Sequence, residues 1–239
     1  MKTNNLLVLS LLVLFAGTIS CEEDVFLEGN LDLQTETRGA SGFEEIASNG
    51  DFNVMVRSGD SYSVEVRAES NLLSYIETDV VNNTLKIRTR GVRRLEKNYP
   101  IDVYITTPVL NGLSISGSGM ITTDPFASNR FMIAISGSGN IDTDISADIL
   151  KANVSGSGTI FLKGEATSGE FVISGSGKIR SYDFEQHNCE AIISGSGEMY
   201  VNVSETIDAR ISGSGKVFYI NHPVVHTNIS GSGGVFDRN

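Results

Sequence analysis

A parallel β-solenoid, an all-β fold, is predicted by three observations: a tetrapeptide that recurs at a near-fixed period, apolar columns locked to it, and no helical period across the same stretch. Ser-Gly-Ser-Gly occurs seven times, with its first serine at Ser116, Ser136, Ser155, Ser174, Ser194, Ser212 and Ser230, giving spacings of 20, 19, 19, 20, 18 and 18 residues. A period near twenty marks a solenoid in which each repeat is one coil and buries its apolar side only against its neighbours. Flexible Gly/Ser linkers impose no rule on the residue before them. Here every copy follows a β-branched aliphatic residue: Ile115, Ile135, Val154, Ile173, Ile193, Ile211 and Ile229.

Six positions after that column lies a second, Ile121, Ile141, Ile160, Ile179, Met199, Val217 and Val235. Two positions before it lies a third, Leu113, Ile133, Ala152, Phe171, Ala191, Ala209 and Thr227. Both offsets are even, and even offsets share one face of a strand, so all three columns can point into one core. If the alternation runs unbroken, both glycines of each repeat face inward. The serines then form two outward ladders whose hydroxyls can bond between coils. Coils about 4.8 Å apart place the backbone hydrogen bonds along the solenoid axis. A right-handed coil is expected from the preference of crossover connections.

Residues 41–110 have β character of another kind. Phe52, Val54 and Val56 alternate with polar residues, Ser58-Gly59-Asp60 turns, and Val64 and Val66 resume the alternation, which reads as a hairpin. Ile76 to Val81, the pair Asn82-Asn83, then Leu85 and Ile87 read as a second hairpin. Ile101, Val103 and Ile105 make a strand leading into the repeats, residues 111–239, and Ile46-Ala47-Ser48-Asn49-Gly50 reads as a decayed repeat. This segment either caps one end of the solenoid or supplies its irregular first coils, since an uncapped end exposes strand edges.

The first twenty residues have the layout of an export signal: Lys2, an apolar run from Leu6 to Phe15, then Gly17, Thr18 and Ser20 ahead of Cys21. A cysteine at that place resembles the lipobox of bacterial lipoproteins, which implies that Cys21 becomes the acylated N-terminus. Thr18 stands where that pattern has Leu, Val or Ile, so a membrane anchor or simple secretion is the alternative, although ten apolar residues are short for a span. Glu22-Glu23-Asp24 resembles the acidic surface-export signal of Bacteroidetes lipoproteins, which implies the outer face of the outer membrane; the periplasmic face is the alternative. Residues 21–40 otherwise read as a solvated, lipid-anchored linker.

With a net charge of −11, the chain is a poor partner for nucleic acid. Cys189 is the only thiol beyond Cys21, so an intrachain disulfide within the fold is excluded and packing and backbone hydrogen bonds must hold it. Together, the lipobox-like signal, the opening at Phe43, the strand ending in Pro108-Val109-Leu110 and the repeated Ile-Ser-Gly-Ser-Gly resemble the "head GIN" family of Bacteroidetes adhesins over residues 40–239. That resemblance implies a β-helical fold and a role in adhesion.

Few residues are placed to carry chemistry. His187, His222 and His226 have no partners legible in sequence, and Pro223 removes any helical metal spacing. Ser174 to Lys178 and Ser212 to Lys216 lack the earlier glycine and the following Ser/Thr of a phosphate loop. Asp142, Asp144, Asp148, Glu165, Asp183 and Glu198 do not recur at one coil position, unlike the clustered carboxylates of β-helical polysaccharide enzymes. No catalytic residue, metal or cofactor is therefore expected. Lys86, Arg88, Arg90, Arg93, Arg94 and Lys97 form a basic cluster that would suit an anionic partner; the alternative is the wet face of a strand and its loop. The reading that follows is a non-catalytic envelope binding protein for a glycan or a host or envelope protein, with self-association through an open solenoid edge and a carbohydrate-active enzyme as alternatives.

Overall fold

The computed structural model describes residues 26–91 and 94–239. The export signal, Cys21 and Arg93 lie outside the described residues, as does the side chain of Arg94. Strands β1 (Phe26–Glu28), β2 (Leu33–Arg38), β3 (Glu45–Asn49), β4 (Asn53–Ser58) and β5 (Ser63–Glu69) are followed by a short 3-10 turn, Leu73–Tyr75. Next come β6 (Ile76–Val81), β7 (Thr84–Thr89), β8 (Arg94–Glu96) and β9 (Asp102–Thr107). The repeats begin with β10 (Gly112–Gly117), β11 (Met120–Thr123), β12 (Phe126–Gly137) and β13 (Asn140–Gly156). They continue through β14 (Thr159–Gly175), β15 (Lys178–Gly195), β16 (Glu198–Gly213), β17 (Lys216–Ile220), β18 (Val224–Gly231) and β19 (Gly234–Asp237).

From β10 onward every pairing is parallel and joins one coil to the next, so the fold is a β-solenoid. The seven tetrapeptides stand in exact succession, Ser116 beside Ser136, then Ser155, Ser174, Ser194, Ser212 and Ser230. Strand β14 has 17 residues, which at roughly 3.3 Å each could not return to register within a coil of about that length unless it bent. Bends fall at Gly164, at φ +107°, and where the ladder skips Asp148 and Thr167. All three predicted columns point inward and are buried at 0–2 % exposure through Ile211, Ala209 and Val217.

At the corners the alternation breaks. The first glycine of each tetrapeptide is not inward but at a corner with positive φ, between +115° and +126° at all seven positions. That conformation aims its carbonyl along the axis, where the Gly117 carbonyl accepts the N–H of Ser138 at 2.9 Å and the Gly137 carbonyl that of Ser157 at 2.9 Å. A Cβ on Gly156 would lie 2.5 Å from the Gly137 carbonyl oxygen. Glycine is thus required twice over, by backbone angle and by the close approach of the coil beneath. The second glycine is buried from Gly119 to Gly215, as predicted, and half-buried at Gly233 in the last coil. The serines are exposed, but among the described residues no side-chain hydrogen bond joins the ladder serines; the hydroxyl pair that links two coils is Thr123 with Thr143, at 2.7 Å.

Residues 41–110 prove to be first coils and cap together. Strand β3 lies beside β10, with Ile46 opposite Leu113 and Asn49 opposite Ser116, and Gly50 takes φ +140°, so the decayed repeat is a true coil. Strands β7 and β9 form the coil before it, parallel to β3 and β4. The second hairpin is as predicted: Asn82 and Asn83 both have positive φ, +51° and +61°, and β6 returns antiparallel along β7. The first hairpin is a correction. Strands β4 and β5 do not pair; β9 lies between them, parallel to β4 and antiparallel to β5. Residues 26–40 are corrected too, because β2 pairs antiparallel with β5 and β1 pairs parallel with β8, which leaves less of that stretch as tether; residues 21–25, with Glu22 to Asp24, lie outside the described residues.

A buried carboxylate fastens this end. Glu69, 1 % exposed, accepts hydrogen bonds from the backbone N–H of Leu31 (2.8 Å) and Asn98 (2.9 Å) and from Asn98 Nδ2 (3.0 Å). Burial raises its pKa, but these donors outweigh burial and hold the carboxyl below its ordinary value.

Candidate binding surfaces

Three surfaces concentrate polar or aromatic groups. The first is a groove of about 500 Å³ that crosses successive coils where the strands bend, lined among others by Ser128, Asn129, Asp148, Glu165, Glu185 and His187. Ser146, Glu165 and Glu185 occupy one position on three adjacent coils, and Ser146 Oγ donates to Glu165 Oε1 at 3.3 Å. This corrects the expectation that carboxylates do not recur. Glu170, Glu190 and Asp208 share another position, where they pair with Lys151, Arg210 and His226 respectively, the His226 Nδ1 to Asp208 Oδ1 distance being 3.1 Å. The signal was legible in principle, since Glu165 and Glu185 are one coil apart. Among the described residues no group of three His, Cys, Asp or Glu side chains is placed to hold a metal ion.

The second surface is the predicted basic cluster, which the structure divides. Arg88 Nε and Arg90 Nη1 both donate to Glu77, at 2.8 and 2.7 Å, and Arg88 also reaches Asp79 at 3.2 Å. Hydrogen bonds from Arg88 and then Arg90 hold the Glu77 carboxyl below its usual range. Lys97 lies elsewhere, donating to the backbone oxygen of Asp51 at 2.8 Å and pairing with its carboxylate at 2.9 Å. The strand face is therefore a mixed-charge surface rather than a bare cationic one. Lys86 stands on the same strand, between Ala47 and Asp79 in the ladder.

The third surface was missed in the sequence. Six residues after the first serine, an outward column runs Phe161, Arg180, Tyr200, Phe218 and Phe236. Tyr200 and Phe218 stack at 5.0 Å between ring centres, and Phe218 and Phe236 at 5.4 Å. Arg180 lies over Tyr200 at 5.0 Å and Arg238 over Phe218 at 4.9 Å. Between Phe161 and Lys163 the opposing strand carries an extra residue, and this bulge brings Tyr182 edge-on to Tyr200 at 5.6 Å. Tyr200 Oη donates to Glu198, which also accepts from Lys178 at 2.8 Å. Burial raises the pKa of both tyrosines, and the Lys178 hydrogen bond lowers that of Glu198. Cys189 is buried beneath the coils, which pushes its thiol up to about 12 and makes it a packing residue.

Solved structures share this architecture. An adhesin-titled protein from Bacteroides fragilis superposes with a TM-score of 0.82 at 22 % identity, covering 89 % of this chain and all (100 %) of its own. A protein from Parabacteroides distasonis titled "putative lipid binding protein" gives 0.77 at 26 % identity, covering 90 % and 100 %. An adhesin-titled protein from Parabacteroides merdae gives 0.72 at 19 % identity, covering 90 % and 99 %. No curated protein matches the chain. The family described as "Putative auto-transporter adhesin, head GIN domain" matches residues 42–223, the first coils and most of the repeats, and the chain belongs to that family.

Proposed function

We propose that this protein is a non-catalytic, lipid-anchored adhesin of the outer-membrane surface that binds a glycan along the side of its solenoid. The observation that carries the reading is the polar groove. Hydroxyl, amide, carboxylate and imidazole groups line it, and Ser146, Glu165 and Glu185 repeat one position at the coil spacing of about 4.8 Å. Such a row suits a chain-like polyhydroxyl ligand, because each sugar unit can meet an equivalent set of hydrogen-bonding groups. Membership of an adhesin family and the lipobox-like Cys21 support the location.

Two measurements test it. Protease shaving of intact cells should remove the protein; full protection would sink the surface location. Binding to a glycan array should fall at least tenfold in a variant carrying Asn129→Ala, Glu165→Gln and Glu185→Gln with an unchanged melting temperature. Turnover of a polysaccharide by the purified protein would overturn the non-catalytic part.

A further inference from the structure

The last coil differs from every coil before it. Strand β18 pairs with β16 and β19 with β17, each on one side, and among the described residues no other strand pairs along their outer edges. The core columns surface here: Ile229 is 39 % exposed, whereas its column mates from Ile115 to Ile211 are at 0–2 %. Val224 is 61 % and Phe236 41 % exposed. The aromatic stack of Tyr200, Phe218 and Phe236 ends at this coil, and among the described residues Phe236 stacks on Phe218 and on no further ring.

Charge says what could cover it. Besides His222 and His226, residues 222–239 carry Asp237 and Arg238 as their only acidic and basic side chains, in a chain whose net charge is −11 with histidines neutral. Side-by-side contact sets the excess carboxylates of two copies against each other, whereas contact through this coil brings in one carboxylate and one guanidinium per copy and adds little repulsion of its own. At the opposite end β2 and β6 are also paired on one side only, but β2 is a polar and charged edge, Leu-Gln-Thr-Glu-Thr-Arg, and Leu72 and Leu73 are buried. That end offers no exposed core column for a head-to-tail contact.

We propose that two copies of this chain dock tail to tail through their last coils, continuing the sheet and the aromatic stack across a two-fold axis. An exposed strand edge is a template for pairing, and an isologous contact closes after two copies instead of growing into a filament. The chain enters the fold at the sealed end, where β1 pairs with β8 and the N–H of Gly29 donates to the carbonyl of Glu96. An anchor at Cys21 would hold that end at the membrane and turn the open coil outward. Tail-to-tail pairing then joins proteins on two facing cells, and adhesion becomes homophilic. This last step rests on the lipid-anchored surface reading; the pairing does not.

Sedimentation equilibrium and small-angle scattering of the exported chain carrying Cys21→Ser test the pairing. Expected is a concentration-dependent dimer with a longest dimension nearly twice the monomer's. A wild-type protein that stays monomeric up to its solubility limit, or a dimer hardly longer than the monomer, overturns the proposal. Val224→Lys with Phe236→Asp should weaken association at least tenfold; dimers that survive both changes overturn it as well. Cells displaying the wild-type chain should aggregate, and cells displaying the double variant should not. Protection from protease shaving would sink the surface reading yet leave the sedimentation result standing, so the two failures are distinguishable.

Discussion

The two ends of the solenoid solve the same problem differently. At the sealed end the chain abandons the tetrapeptide, reverses strand direction at β2, β5 and β6, and covers the core with Leu72, Leu73 and the Phe43–Tyr62 edge-to-face pair. At the open end the tetrapeptide at Ser230 is intact, and the coil it builds leaves Ile229 at 39 % exposure. The repeat propagates a stack but cannot terminate one. Each coil receives hydrogen bonds and apolar contact from both neighbours, and a copy with one neighbour has half of each. Termination needs residues that break the pattern, which is why the sealing segment looks irregular in sequence.

The contrast is broken most severely at a corner glycine. Alanine at Gly156 would be forced to φ +117° with its Cβ 2.5 Å from the Gly137 carbonyl oxygen, an acceptor for the N–H groups of Ser157 and Gly158. Backbone strain of about 1–3 kcal/mol and the displaced hydrogen bonds should together cost roughly 3 kcal/mol or more. Alanine at Gly231 meets the Gly213 carbonyl oxygen at 2.4 Å, an equal clash, but there the last coil can detach without dividing the stack. Thermal unfolding should show a far larger loss for Gly156→Ala. Equal losses would mean that the last coil is as integral as the middle ones.

A milder change compares burial within one column. Ile173 is fully buried at 0 % exposure and Ile229 is at 39 %, and both precede a Ser-Gly-Ser-Gly. Ile173→Ala should cost about 2–5 kcal/mol through lost burial and the cavity left behind. Ile229→Ala should cost closer to 1 kcal/mol, since much of its surface already meets water and no closed cavity forms. Urea midpoints of the two variants at low protein concentration measure the ratio. Repeating them at high concentration sharpens it, because Ile229→Ala should gain in cost once the last coil is covered.

How much of this was legible follows from the same division. The repeats announced their columns because one period governs every position, and Ile115, Ile121 and Leu113 with their successors fell where even offsets placed them. The corner glycines were misplaced because alternation is a rule for extended backbone and does not survive positive φ. In the sealing segment, local alternation found the strands β4 and β5 but not their partners. Strand β9 enters between them from more than thirty residues away, a pairing no local pattern encodes. Ser48 is what made the coil of β3 legible only as a decayed repeat, since it stands, buried and with its hydroxyl lacking a hydrogen-bond partner, opposite Ile115. Of the candidate surfaces, the basic cluster was visible as composition, but its neutralisation by Glu77 and Asp79 required the β6–β7 register. The groove and the aromatic row lay on outward columns, where the sequence varies from coil to coil and no repeat draws attention to them.

The gentlest perturbation distinguishes the ends by pH. Glu69 fastens the sealed end through donors from Leu31 and Asn98, distant in sequence. The carboxylate of the last coil, Asp237, is instead exposed, and its pKa is lowered chiefly by hydrogen bonds from Asn239, two residues away, so it ties the chain only to itself. The pKa of Glu69 in the folded protein lies below the ordinary 4.5, so the folded state binds the proton less tightly than the unfolded one. The stability this supplies is fully present above the unfolded value and is lost as pH falls through the folded value. Acid should therefore loosen the sealed end first. Hydrogen exchange should show amides of β2 and of residues 97–99 losing protection below about pH 4.5, the unfolded carboxylate range, while those of β12 to β14 hold. Glu69→Gln removes the charge and turns an amide toward donors, so it should lower the melting temperature at pH 7. The gap from wild type should then narrow as the wild-type carboxyl protonates. A gap that stays constant from pH 7 to pH 3 would mean that shape, and not charge, is what Glu69 contributes to closing that end.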